Sequence, residues 1–197
     1  MSSGGPGSLL RMGRIMVMQQ VSVDGYTEGP GADIGWHLVD EELHTHLNEV
    51  LGVLGAQVMG RVTYELMEAF WPTADDDPEV AGPVREYADI YRRTPKVVYS
   101  RTLEHVGPGA ELVRDVDTER VRALQQRFDG DIGVGGARLA SAFRRLDLVD
   151  SWRVYVHPVV LGAGTPLFAP ADGRLRLDLV ETRRFGNGVV LLHYARP

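Results

Sequence analysis

Apolar residues fall in short runs along the chain, and their period switches repeatedly between two and about 3.6. Arg14-Ile15-Met16-Val17-Met18-Gln19-Gln20-Val21 is a largely apolar β-type run, the pattern of a strand buried on both faces. Behind Asp40, a good N-cap, Leu43, Leu47, Val50, Leu51 and Leu54 recur at helical spacing, with Gly55 as the expected end. Ala56-Gln57-Val58-Met59 and Lys96-Val97-Val98-Tyr99 read as short strands, and Glu111-Leu112-Val113 as another. Helical spacing returns at Leu66, Met67 and Phe70, again from Val80 to Tyr91, and again at Val121, Leu124 and Phe128. A β-type run ending at Gly135 leads into a helix with Leu139, Phe143 and Leu146 on one face. Ser151 to His157 alternates cleanly, and two last runs, Leu175 to Glu181 and Val189 to Tyr194, flank the hairpin signal Gly186-Asn187-Gly188.

That order predicts about eight strands and four to five helices, alternating first and finishing with an antiparallel pair. Alternation implies an α/β fold with a mostly parallel central sheet and helices on both faces. Residues 14–197 are expected to form one domain, since no linker or repeat divides them. Residues 1–13 are glycine-rich and small at their start and read as a flexible leader or tag.

Composition narrows the function classes. The formal charge of −6, with no Lys/Arg block, argues against a nucleic-acid partner. No apolar run is long enough to span a bilayer, so no membrane association is expected. With no cysteine there is no disulfide and no thiolate chemistry, which fits a reducing, cytoplasmic location. His44 and His46 sit two apart on a helix and point to different sides, so no metal site is expected there.

The candidate chemistry lies where strands turn into helices. Gly135-Gly136 and Gly60-Arg61 both stand at such junctions, where a helix N-terminus presents unpaired N–H groups and a partial positive charge suited to phosphate. Arg61 adds a planar fork of donors, and Thr63 can cap the helix or bind an oxygen. Ser100 and Arg101 follow a third strand. A tight turn packing a helix on a sheet explains any one of these glycines equally well. Because ligands in parallel sheets bind beyond the carboxyl ends of the strands, all of them are expected along one edge, with the loop after Val21. Gly133-Val134-Gly135-Gly136-Ala137-Arg138 does not complete the G-x-G-x-x-G fingerprint, and no Walker, G-x-S-x-G or H-E-x-x-H sequence is present.

Together these stretches carry a family resemblance. Val58-Met59-Gly60-Arg61-Val62-Thr63-Tyr64-Glu65 resembles the strand-to-helix motif of dihydrofolate reductases and of the reductase domain of riboflavin biosynthesis. Ile132-Gly133-Val134-Gly135-Gly136-Ala137-Arg138-Leu139 is similar to the paired-glycine turn of that superfamily. Val21-Ser22-Val23-Asp24-Gly25 and Val156-His157-Pro158-Val159-Val160-Leu161-Gly162-Ala163-Gly164 resemble the riboflavin-type branch more closely. The resemblance implies a dihydrofolate reductase-like three-layer α/β/α fold with NADPH as hydride donor. It also implies cofactor contacts from Val21, Gly60, Arg61, Thr63, Ser100, Arg101, Val134, Gly135, Gly136, Ala137, Arg138 and Leu139. Of these, Gly60, Arg61 and Thr63 would hold phosphate oxygens, Ser100 and Arg101 the adenosine ribose and its 2′-phosphate, and the Gly135–Arg138 turn the pyrophosphate.

On the substrate side, Trp36-His37-Leu38 followed by an acidic helix start is similar to the folate-site segment of dihydrofolate reductase. Glu42, or its neighbour Glu41, would then assist protonation; acidic residues in a first helical turn are equally expected from the helix dipole alone. Asp24 is either a turn former or a contact to substrate or nicotinamide. The implied activity is hydride transfer from NADPH to a small heterocyclic or carbonyl substrate. A non-catalytic nucleotide-binding module and a true dihydrofolate reductase remain the alternatives. Pairing through strands and the apolar loop Val159 to Phe168 would give a homodimer, an assembly common in the family.

Overall fold

The computed structural model describes residues 12–169 and 174–197. The expected leader therefore lies almost wholly outside the described residues. In chain order the elements are β1 (Ile15–Ser22), β2 (Tyr26–Glu28), α1 (Glu41–Leu51), β3 (Ala56–Gly60), α2 (Arg61–Glu68), α3 (Gly82–Arg93), β4 (Lys96–Tyr99) and β5 (Ala110–Val113). They continue as α4 (Thr118–Arg127), β6 (Ile132–Gly135), α5 (Ala137–Arg145), β7 (Ser151–His157), β8 (Thr165–Pro166), β9 (Asp178–Arg184) and β10 (Val190–Ala195).

Eight strands form one sheet in the order β5, β4, β3, β6, β1, β7, β10, β9. The first six run parallel, and β10 and β9 join antiparallel. This is the α/β arrangement with a mostly parallel sheet that the alternating pattern implies, and it agrees with the three-layer α/β/α fold that the resemblance implies. The strands β2 and β8, short pieces within segments read as loops, pair separately beside the sheet.

Apolar side chains of both strand faces explain the three layers. On one face Val17, Val58 and Val134 pack with Val121 and Leu124 of α4 and with Phe143 of α5. On the other, Leu43 and Leu47 of α1 cover Tyr155 and Leu191, while Tyr64 of α2 covers Met59 and Val98. Each such large side chain withdrawn from water contributes about 1.5–3 kcal/mol of transfer free energy.

Two boundaries differ from the sequence pattern. Helix α1 stops at Leu51, capped by Gly52 N–H on Asn48 O at 2.7 Å, three residues before the last apolar position. Leu54 is apolar for another reason: it lies over the backbone of Gly133, where an added Cβ would come within 2.6 Å of Leu54 Cδ1. The penultimate strand begins at Asp178, since Leu175 and Leu177 pack onto the core before the chain reaches the sheet edge.

β1 and β6 differ in length at the carboxyl edge of the sheet. β6 pairs with β1 only from Ile15 to Val17, then turns away at Gly135-Gly136. β1 runs on to Ser22, paired with β7 alone. Its carboxyl half thus presents an unpaired edge next to the paired-glycine turn. Loops on the far side are stitched together: Val23 N–H donates to Val159 O at 2.8 Å and Leu167 N–H to Gly25 O at 2.9 Å.

Gly164 locks that stitching. Its φ is +138°, and a Cβ there would collide with the carbonyl oxygen of Glu28. Gly164→Ala is expected to cost about 2–3 kcal/mol from backbone strain and overpacking. A thermal melt indistinguishable from wild type would contradict this account of the loop.

Candidate active site

The carboxyl ends of β4, β3, β6 and β1 follow one another along the sheet, so the glycine junctions meet at a single edge. Gly60 ends β3 and caps α2; Gly136 follows β6 and caps α5. Neither helix has a side-chain cap or an acidic residue in its first turn. The contrast with α1 and α4 is sharp. There Asp40 and Asp117 accept from the N–H groups of Leu43 and Arg120, and Glu41, Glu42 and Glu119 complement the dipole. The first-turn N–H groups of α2 and α5 are therefore left without side-chain acceptors beside a positive dipole end, the donor set an anion requires.

The two glycines differ in what they permit. Gly136 adopts φ +90°, and a Cβ there would stand 2.8 Å from Thr63 Oγ1. That contact also brings the first turn of α2 against the turn that starts α5. Gly60, in contrast, has φ −80° and ψ 167°, which any residue adopts, and a Cβ there would meet nothing within 4 Å. Neither backbone angle nor protein packing requires glycine at this position, and the helix start opens onto free space.

The other predicted contacts fall around this pair. Val21, Val134, Ala137 and Leu139 are buried, so they shape the site through packing and main chain. Arg138 projects from the first turn of α5 and is exposed. Arg61 is exposed and pairs with Glu65 at 2.8 Å. Ser100 is buried, and its hydroxyl accepts from Thr102 and Leu103 N–H at 3.1 and 2.9 Å, closing the turn after β4. Arg101 leans on Asp115, donating from Nε at 2.9 Å, with its side chain 81% exposed. Gln19 carries a buried, unpartnered Nε2 two residues beyond the last β1–β6 pair. The residues present thus fit a phosphorylated dinucleotide: free N–H groups, an open glycine turn, nearby guanidinium groups and an orphaned amide.

The two candidate carboxylates are engaged elsewhere. Asp24 accepts from Leu161 N–H at 3.1 Å and Gly162 N–H at 2.7 Å, clamping the turn after β1 to the loop after β7. The Ser22 hydroxyl and those amides hold its carboxyl down at about 2. Glu42 accepts from Gly186 N–H at 2.9 Å and Arg183 at 3.3 Å, and these lower its pKa in that order. Both oxygens of each group are committed to donors. The turn-forming reading of Asp24 describes its geometry, and Glu42 ties α1 to the β9–β10 hairpin. Glu41 stays exposed in the first turn of α1.

Sequence reasoning passed over the polar pair that occupies this region. On the strand face toward α1, His157 Nε2 lies 2.6 Å from Gln20 Oε1, and His157 Nδ1 accepts from Leu38 N–H at 3.1 Å. Trp36 and His37 pack on the same imidazole, with ring centroids 5.5 and 5.4 Å away. The signal was present as a glutamine inside an apolar strand and a histidine closing another, but only pairing of β1 with β7 makes them neighbours. His44 and His46 do point apart, toward Trp71 and Tyr155 respectively. Among the described residues no cluster of three or more metal-ligating side chains occurs.

His157 is fully buried, which drives its pKa down from the usual 6.5 to about 4, with His37 adding a smaller push. The unfolded chain takes up that proton below about pH 6.5 while the folded protein refuses it until about pH 4. The stabilising contribution is complete above 6.5 and is lost as pH falls between these values. Melting temperature should therefore drop across this window, with a shallower slope in His157→Gln; equal slopes would show that His157 is not the group responsible.

A family model for the RibD C-terminal domain matches residues 14–191. The uncharacterized Bacillus subtilis protein YyaP is 32% identical over 186 residues, covering 94% of this chain and 96% of its own. A second B. subtilis protein, YwjB, is 29% identical over 184 residues, 89% of this chain and 94% of its own. Among solved structures, a putative riboflavin biosynthesis protein from Shewanella sp. PV-4 superposes with TM-score 0.74 at 20% identity, covering 93% of this chain and 99% of that one. Enterococcus faecalis dihydrofolate reductase, complexed with NADP(H), gives 0.63 at 14% identity over 94% and 97% of the two chains. Sequence and fold agree that the chain belongs to the RibD C-terminal domain family.

Proposed function

We propose that residues 14–197 form one NADPH-dependent reductase domain acting on a small heterocyclic or carbonyl substrate. The observation that supports this most is the pairing of two uncapped, glycine-headed helices at the carboxyl edge of the sheet, in a chain of a reductase-containing family. The bound dinucleotide would supply the hydride. Gly60, Arg61 and Thr63 would bind phosphate oxygens at the start of α2, and Gly135, Gly136, Ala137 and Arg138 at the start of α5. Ser100 shapes the turn that carries Arg101, and Arg101 would meet a 2′-phosphate by exchanging Asp115 for it. The unpaired edge of β1 would hold the reacting ring, with Val21 and Leu139 keeping water from the cleft floor.

One observation favours a second reading. Every oxygen of Asp24 and Glu42 accepts from a fold-holding donor, which suits a nucleotide-binding module without catalysis. That module would bind NADPH yet oxidise none of it across a panel of pterins, pyrimidine ribosides and carbonyl compounds. A true dihydrofolate reductase would instead turn over dihydrofolate and be inhibited by methotrexate. Among the described residues no helix is long and apolar enough to cross a membrane. A cytoplasmic location fits the NADPH reading, and the formal charge of −6 argues against a nucleic-acid partner.

Gly60→Ala separates binding from folding, because an alanine there fits the backbone and touches no protein atom. The variant should melt like wild type while its NADPH affinity falls about tenfold or more, the loss expected when charge-assisted phosphate contacts are displaced. Wild type should bind NADPH more tightly than NADH; binding of neither, in a thermal-shift titration, would sink the proposal. A homodimer is the assembly we expect. All seven residues of the edge strand β9 are exposed, including Leu179 and Val180, and an open edge of this kind invites pairing. Light scattering should report twice the chain mass for wild type and half of that for Val180→Lys, and a wild-type monomer would exclude this assembly.

A further inference from the structure

The polar pair on β1 and β7 allows one more step, which rests on the reductase reading above. A backbone N–H can only donate, so Leu38 N–H fixes His157 Nδ1 as an acceptor. The buried imidazole is neutral at pH 7, and its single proton must then sit on Nε2. Nε2–H needs an acceptor, and the only group at 2.6 Å is the side chain of Gln20, which must present its oxygen. The orientation of the Gln20 carboxamide follows from this chain of donors rather than from any choice between its two ends. Its NH₂ is held on the opposite side, and among the described residues no hydrogen bond engages it and it is not buried.

Position gives this donor a purpose. Gln20 lies three residues past Val17, where β6 has already turned away, so it borders the unpaired edge of β1. At about 3.3 Å per residue it stands roughly 10 Å beyond the last β1–β6 pair. It shares the face of Met18, Ser22 and α1, opposite the face that carries α5. Asp24 accepts from two amides, and Glu42 from an amide and Arg183.

We infer that Gln20 is a specificity-determining residue for the second ligand. Its carboxamide, aimed by His157 and Leu38, donates to a neutral acceptor, a carbonyl oxygen or an imine nitrogen. His157 is a positioning residue that touches Gln20 and not the ligand. A ligand group that can only donate, such as an ammonium, cannot accept this hydrogen bond. A donor that the wrong partner leaves unpaired disfavours that partner.

Gln20→Glu is the informative variant. A carboxylate of the same shape still accepts from His157 Nε2–H, so a purely structural role survives, but the outward donor becomes an acceptor. The probes are benzaldehyde, cyclohexenone and dihydroisoquinoline as acceptors, with benzylamine as the donor-only control, each titrated into NADPH-loaded, ¹⁵N-labelled protein. The Gln20 side-chain NH₂ resonances, identified by their loss in Gln20→Glu, should shift with at least one acceptor probe and not with benzylamine. Gln20→Glu should keep NADPH affinity and melting temperature and bind that probe about tenfold or more weakly. Equal probe binding by Gln20→Glu and wild type would overturn the inference, as would Gln20 resonances that no acceptor probe moves. Failure of NADPH to bind in the same samples would instead remove the reductase reading, so the two outcomes are told apart.

Discussion

The carboxyl-terminal half of β1 is hydrogen-bonded on one side only, and the rest of the site depends on that asymmetry. β6 stops pairing with β1 after Val134, opposite Val17, and leaves the sheet at Gly135, because Gly136 takes a positive φ and starts α5 at once. β7 keeps step with β1 to His157. The result is a strand edge with unsatisfied backbone groups facing a helix N-terminus, at the place where the connections of the sheet reverse direction. Unpaired backbone at a sheet edge is a liability in most folds. In a parallel sheet it is also where a ligand gains main-chain hydrogen bonds without displacing any protein contact.

Around that edge the chain divides its polar groups between holding the fold and remaining free. Carboxylates hold: Asp24 closes the loops beyond β1 and β7, Glu42 the β9–β10 hairpin, Asp40 and Asp117 the starts of α1 and α4. Donors remain: the first turns of α2 and α5, the exposed Arg138, and the amides of Gln19 and Gln20, while Arg61 and Arg101 meet only surface carboxylates, Glu65 and Asp115. With acceptors spent and donors left over, the edge suits an anionic cofactor and a neutral, acceptor-bearing ligand. His157 is central to the ligand side because burial keeps it neutral, and a neutral imidazole can relay one fixed hydrogen-bond direction from Leu38 to Gln20.

What could be read from the residues was what is local. The alternation of Ser151 to His157, the spacing of Leu43 and Leu47, and glycines at strand-to-helix junctions each depend on near neighbours in the chain. So the element order, the sheet class and the candidate phosphate edge were legible, and the motifs at Gly60-Arg61 and Gly135-Gly136 pointed to the family. The roles suggested for Asp24 and Glu42 were not settled by type and position, because their partners are 137 and 144 residues away. An acidic residue before glycine or in a first helical turn looks the same whether it faces a substrate or a distant backbone amide.

The sequence by itself determined the alternation of strands and helices, the uncapped glycine starts and the absence of cysteine chemistry, since these follow from residue type and short-range periodicity. Tertiary structure alone decided that β1 outruns β6, that Gly60 needs no glycine for its own backbone, and that Gln20 and His157 share a hydrogen bond. The reason is physical: strand register and side-chain partnership are set by packing across the sheet, between segments that no local pattern connects.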